Sequence, residues 1–118
     1  MTEITALVID DQSINVEVLA RLLVENNIVA FGIDDVNDLD SMINGLPVID
    51  IIFLDIEFPR VDGFEVYTYL RACKKLKNTR IIAYSVHLDM IGAVRDNGFD
   101  GFLGKPLNSA RFPEQLEQ

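Results

Sequence analysis

The chain has 118 residues, 49% of them hydrophobic and 25% charged, and its 19 acidic and 10 basic residues give a formal net charge of -9 at pH 7. These proportions predict one globular domain over residues 1–118 and exclude a disordered acidic tail. The excess negative charge repels a phosphate backbone, so we expect no direct binding to nucleic acid.

Five short apolar runs predict five β-strands, at residues 7–9, 28–33, 49–54, 81–83 and 102–103. They show little of the polar alternation that marks a solvated sheet face, so both faces of the sheet should be covered. Segments of helical period separate the runs. Alternating strands and helices predict a doubly wound α/β fold, in which a five-stranded parallel sheet has helices on both faces.

Apolar residues at helical spacing predict the buried faces of four helices. In chain order these residues are Val18, Leu19, Leu22 and Leu23; Leu39, Met42, Ile43 and Leu46; Val66, Leu70 and Cys73; and Ile91 and Val94. Gly92 lies inside the fourth helix, where it costs about 1 kcal/mol relative to alanine. Asn26 with Asn27, Gly45 with Pro47, and Gly98 are expected to end the first, second and fourth helices.

The single cysteine and single histidine cannot form an internal disulfide or a zinc site. The chain begins without a signal-type apolar segment, and its longest apolar run is too short to cross a bilayer. We therefore expect a reduced, cytoplasmic protein that does not enter a membrane.

Residues with reactive side chains stand at the carboxyl ends of four predicted strands. They are Asp10 and Asp11, Asp55, Ser85, and Lys105. Ligands of doubly wound sheets bind beyond these strand ends. Each residue alone has another explanation, because acids and serine also cap helices and lysine is common in loops.

Together, however, these residues indicate a phosphoryl-transfer site. Three neighbouring carboxylates repel by about 4 kcal/mol per pair at about 4 Å and an effective dielectric constant near 20. Magnesium, which prefers oxygen ligands, relieves this repulsion. A lysine can neutralise further charge and a hydroxyl can donate to a phosphoryl oxygen. The set therefore favours magnesium-dependent phosphoryl transfer onto a carboxylate.

The chain resembles the receiver domain of bacterial two-component response regulators. The resemblance rests on Asp10 with Asp11, the segment DIEFPRVDG at residues 55–63, Ser85, and Lys105 with Pro106. The resemblance covers nearly the whole chain. It implies a flavodoxin-like receiver fold with strand order 2-1-3-4-5 and five helices. It also implies a cis peptide bond between Lys105 and Pro106.

The same resemblance implies a role for each site residue. Asp55 would be the phosphoacceptor, and Asp10, Asp11, Asp55 and the backbone carbonyl of Glu57 would bind magnesium. Lys105 would contact the phosphoryl group, with Ser85 as the switch hydroxyl.

Phe102 would occupy the aromatic switch position, which the family often fills with tyrosine; its other interpretation is a core residue. Glu57, Val86 and His87 border the phosphoryl site and would tune the reaction. Val86 is larger than the residue usual after the switch hydroxyl and would narrow access. Glu57 and His87 are otherwise interpreted as solvated loop residues.

The implied function is a signalling switch rather than a metabolic enzyme. It would take a phosphoryl group from a sensor histidine kinase or phosphotransfer protein and support its own phosphorylation and acyl-phosphate hydrolysis. The face formed by helix 4, strand 5 and helix 5 would bind a downstream effector or form a homodimer. The alternative is a receiver-like protein-interaction module that works without phosphorylation. Pro113 suits the first turn of the last helix, which would be short or truncated.

Overall fold

The structure is a computed structural model that describes residues 3–57 and 62–105. Its main elements are β1 (Ile4–Ile9), α1 (Ser13–Glu25), β2 (Ile28–Ile33), α2 (Leu39–Gly45), β3 (Ile51–Asp55), α3 (Gly63–Ala72), β4 (Arg80–Ser85), α4 (Ile91–Asp96) and β5 (Gly101–Gly104). There are also three short 3-10 helices among the described residues: Val36–Asp38 precedes α2, Lys74–Leu76 follows α3, and Leu88–Met90 precedes α4. The predicted fifth helix and the peptide bond between Lys105 and Pro106 lie outside the described residues.

The strands form one parallel sheet in the order β2-β1-β3-β4-β5, which confirms the predicted fold and strand order. The carboxyl ends of the central strands therefore meet at one edge. None of the helices described within residues 3–57 and 62–105 is long and apolar enough to cross a membrane.

The sheet separates two apolar cores, which explains why its strands are apolar on both faces. Leu7 and Ile9 of β1 pack into a core with α2, α3 and α4. Their neighbours Ala6 and Val8 point the other way and pack with α1. This alternation follows from the two-residue period of a strand.

Two of the predicted buried faces were partly wrong. Val18 on α1 is 45% exposed, and Ile91 on α4 is 37% exposed. Each occurs at a helical position that faces outward, while Leu19 and Val94 fill the core positions beside them. Both sheet faces are covered, as predicted, although Phe31 on the edge strand β2 is 37% exposed.

Local chain chemistry sets the ends of the helices. Asp62 caps the start of α3, because its side chain accepts a hydrogen bond of 2.9 Å from the backbone N–H of Phe64. Asn27 follows α1 with a φ of 64°, and Gly98 follows α4 with a φ of 92°. Both values lie in the left-handed region that commonly ends helices, as the sequence predicted.

Candidate functional site

Asp10, Asp11, Asp55, Ser85 and Lys105 all lie at the carboxyl edge of the sheet. One carboxylate oxygen from each of the three aspartates lies within 4.8 Å of the other two. Lys105 Nζ lies 3.1 Å from Asp10 Oδ2 and 3.6 Å from Asp55 Oδ2. The fold thus brings together the acids and the ammonium that the sequence singled out.

Asp55 is the last residue of β3 and is only 3% exposed. Its Oδ1 accepts a hydrogen bond of 2.8 Å from the backbone N–H of Glu57, which fixes the carboxylate orientation. The pKa of Asp55 is raised to about 7, chiefly by burial; the charge of Lys105 lowers this pKa, and the negative charges of Asp10 and Asp11 raise it. The ionised form of the Asp55 carboxylate is therefore stabilised mainly by the positive charge nearby.

Asp10 and Asp11 are adjacent in sequence but lie in different surroundings. Asp10 is fully buried, and its Oδ1 accepts a hydrogen bond of 2.9 Å from the backbone N–H of Gln12. Asp11 is half-buried and lines the cavity beside Asp55. Neither caps α1, because the N-cap position is Gln12 and it makes no side-chain cap hydrogen bond. Asp11 is the more accessible of the two carboxylates.

The three carboxylates fit a hard cation by their chemistry. Each offers an oxygen ligand, and all three oxygens lie close enough to share one ion. Asp11 opens onto the cavity, so an ion can arrive there from solvent.

An open cavity of about 530 Å³ leads to this cluster. Its lining residues come from the loop after β1, from α1, and from the ends of β3 and β4 and the loops after β3, β4 and β5: Asp11, Gln12, Asn15, Val18, Asp55, Glu57, Tyr84, Val86 and Lys105. Val86 is 51% exposed and forms part of the cavity wall.

Ser85 is the last residue of β4, and His87 lies in the loop that follows it. Ser85 is fully buried, and its Oγ accepts a hydrogen bond of 2.9 Å from the backbone N–H of His87. The His87 Nδ1 contacts Glu57 Oε1 and so joins this loop to the one after β3. Phe102 on β5 is half-buried and packs against the core on the side of α3 and α4.

Tyr84, which the sequence analysis missed, belongs to the same site. Its ring lies below Lys105 Nζ, 4.2 Å from the ring centroid to the nitrogen, and it lines the cavity. Burial raises the pKa of the Tyr84 hydroxyl, and Asp10 and Asp55 raise this pKa further, so the phenol stays neutral. An aromatic residue directly before Ser85 was the available sequence signal.

The family model described as the response regulator receiver domain matches residues 6–117. The chain is 30% identical over 112 residues to stress response regulator protein 1 of Meyerozyma guilliermondii, covering 92% of this chain and 51% of that protein. It is 28% identical over 116 residues to hybrid signal transduction histidine kinase A of Dictyostelium discoideum, covering 94% of this chain and 5% of that protein. The chain thus spans about half or less of the length of these relatives.

Among solved structures, the chemotaxis protein CheY4 of Vibrio cholerae matches with a TM-score of 0.85 at 19% identity, covering 98% of each chain. That likeness supports the fold. The family match extends over nearly the whole sequence and agrees with the strand order. This chain therefore belongs to the response regulator receiver domain family.

Proposed function

We propose that this receiver domain accepts a phosphoryl group onto Asp55 in a magnesium-dependent reaction and acts as a signalling switch. The observation that carries the proposal is the position of Asp55, whose nearly buried carboxylate meets both Lys105 and the accessible Asp11 beside an open cavity. The donor would be a sensor histidine kinase or a phosphotransfer protein.

Asp55 would act as the nucleophile. An Asp55 oxygen forms a bond to phosphorus while the bond from phosphorus to the donor breaks, which leaves an acyl phosphate on Asp55. The backbone N–H of Glu57 holds the carboxylate during this exchange. Lys105 favours the ionised, nucleophilic form of Asp55 because its charge lowers the pKa of that carboxyl.

Magnesium would be held by Asp10, Asp11, Asp55 and the backbone carbonyl of Glu57. When bound, the ion supplies positive charge that offsets the carboxylates and the phosphoryl oxygens. The close approach of the three carboxylate oxygens supports this assignment.

Lys105, Ser85 and Phe102 would respond to the new phosphoryl group. The group adds a charge of about -1.5 to -2, which the Lys105 ammonium can pair with. Ser85 Oγ accepts from His87, and its hydroxyl proton can be donated to a phosphoryl oxygen. Movement of Ser85 would make room for Phe102 to turn inward. Glu57, Val86 and His87 would tune access and rate.

The domain would support its own phosphorylation and the hydrolysis of its acyl phosphate, without being a metabolic enzyme. Its output partner would be an effector, or a second copy of the chain, on the face of α4, β5 and the predicted fifth helix. The similarity to a hybrid histidine kinase supports a partner or attached domain of that class. A cytoplasmic location is part of this proposal.

Intact-mass spectrometry with acetyl phosphate and magnesium tests the proposal. We expect the wild type and Asp96→Asn, which loses an exposed acid on α4, to gain one phosphoryl group. Asp55→Asn should gain none, because an amide cannot form the acyl phosphate. Equal uptake by wild type and Asp55→Asn would remove Asp55 from the mechanism. A folded wild type that binds magnesium without gaining mass would favour the alternative, a phosphorylation-independent interaction module.

The signal would leave through the amino-terminal part of α4. The other end is attached to α3, because Tyr67 donates a hydrogen bond of 2.8 Å to the Gly98 carbonyl and its ring stacks on Phe99. A Cβ at Gly92 would have no atom within 4 Å, so this glycine is not required by a close contact. Movement of the start of α4 therefore costs little free energy.

Amide hydrogen exchange of residues 86 to 104 should change on phosphorylation. Unchanged protection of these amides would contradict this route for the signal.

Gly92→Ala should stabilise α4 by about 1 kcal/mol, because alanine loses less backbone entropy and meets no neighbour here. We expect amides of α4 to exchange more slowly and to change less on phosphorylation than in the wild type. Gly45→Ala is the matched control, since that helical glycine also has open space. An equal effect of the two substitutions on α4 exchange would contradict a specific role for Gly92.

A further inference from the structure

We infer that Tyr84 is a positioning residue for phosphorylation, whose ring holds the Lys105 ammonium between Asp10 and Asp55. The inference rests on the proposed phosphorylation of Asp55. It assigns a role to a side chain that takes no direct part in bond formation.

The position of Tyr84 follows from the strand register. Tyr84 on β4 pairs with Asp55 on β3, so the two side chains emerge on the same face of the sheet. Tyr84 is 2% exposed and packs with α1, and its ring also reaches the cavity wall. The ring is therefore fixed by the core at one side and meets the site at the other.

Lys105 Nζ has three described neighbours that attract its positive charge. Two are the carboxylates of Asp10 at 3.1 Å and Asp55 at 3.6 Å, and the third is the face of the Tyr84 ring at 4.2 Å. The face of an aromatic ring attracts a cation within about 6 Å of its centroid, most strongly where water is excluded. The Lys105 side chain is largely buried here.

The ring differs from the carboxylates in what it can bind. Asp10 and Asp55 have oxygens that a hard cation prefers, so magnesium competes with Lys105 for them. A neutral phenol ring does not compete in this way. Tyr84 would therefore keep the flexible lysine in place while the carboxylates are occupied, ready for the phosphoryl oxygens.

Nuclear magnetic resonance tests the contact without any reaction. In the wild type and in Tyr84→Phe, the Lys105 ε-methylene protons should be shifted upfield by the ring, both with and without magnesium. In Tyr84→Met, which keeps most of the volume but has no ring, the shift should be lost. An unshifted wild-type signal overturns the inference, including in the case where Tyr84→Met does not fold.

The rate of phosphorylation by acetyl phosphate tests the role. We expect the rate of Tyr84→Phe to be within about 2-fold of the wild-type rate. The maximal rate of Tyr84→Met should be about 10-fold lower than that of the wild type, with little change in the acetyl phosphate concentration that gives half-maximal rate. Phe53→Met is the matched control, because Phe53 is a buried aromatic residue of the same core on β3.

The positioning role would be overturned if Phe53→Met slowed phosphorylation as much as Tyr84→Met does. It would also be overturned if folded Tyr84→Met reacted at the wild-type rate. Absence of any reaction in the wild type would instead refute the proposed phosphorylation, and the proton shift would still decide whether Tyr84 holds Lys105. The two proposals therefore fail by different results.

Discussion

Asp55→Asn should increase the free energy of unfolding of the magnesium-free protein, by about 2 kcal/mol at about pH 8. Burial, with the repulsion of Asp10 and Asp11 and against the attraction of Lys105, raises the pKa of Asp55 from 3.8 to about 7, which corresponds to about 4 kcal/mol at 1.36 kcal/mol per unit. Asparagine keeps the shape and removes the buried charge. This shift already includes the attraction of Lys105, and we expect about half of it as the net gain because an amide replaces the carboxyl imperfectly.

The pH dependence follows from the direction of this shift. Between about pH 4 and pH 7 the folded protein keeps a proton on Asp55 that the unfolded chain has released. The contribution of Asp55 to stability is therefore greatest below pH 4 and is lost as pH rises through about 7. The difference in the free energy of unfolding between Asp55→Asn and the wild type should grow between about pH 4 and about pH 7 and then level off.

Urea unfolding across this pH range measures the effect. Asp96→Asn, which removes an exposed acid, should show little pH-dependent difference from wild type. Added magnesium should stabilise the wild type more than Asp55→Asn, because ligand binding to the folded state raises its stability. A metal-free Asp55→Asn that is less stable than wild type at about pH 8 would show that Lys105 outweighs the burial of Asp55.

Asp11→Asn should weaken magnesium binding by at least about 10-fold, equivalent to about 1.4 kcal/mol or more. Asp11 is half-buried at the cavity, whereas Asp10 is fully buried and engaged by Lys105 and the Gln12 N–H. We therefore expect Asp11 to be a principal ligand and Asp10 a weaker or water-mediated one.

Titration calorimetry with magnesium measures both effects. Asp10→Asn should reduce affinity less than Asp11→Asn, and Asp96→Asn should leave it unchanged. Phosphorylation by acetyl phosphate should decrease in the same order as magnesium affinity. Unchanged affinity in Asp11→Asn would place the metal site elsewhere.

The sequence predicted the sheet and its reactive edge because both depend on strong local patterns. Apolar runs on both faces indicate buried parallel strands, and the residues after β1, β3, β4 and β5 must then share one edge. The outward positions of Val18 and Ile91 were not predictable in this way, because a helical stripe does not define where the core ends.

The environment of individual site residues depends on three-dimensional packing. The sequence predicted Asp11 as the principal magnesium ligand, but only the structure shows that Asp10 is fully buried against Lys105. Tyr84 reads as one more apolar strand residue. Its contact with Lys105 arises from the register of β4 with β3 and β5, which no local pattern specifies.

The most direct test of phosphorylation at Asp55 is chemical trapping of the acyl phosphate. Treatment of the phosphorylated protein with borohydride reduces an aspartyl phosphate to homoserine, which peptide mass spectrometry assigns to a position. We predict homoserine at position 55 only, dependent on magnesium and absent from Asp55→Asn. Homoserine at another acidic position, or none in a protein that has gained phosphate, would contradict the account.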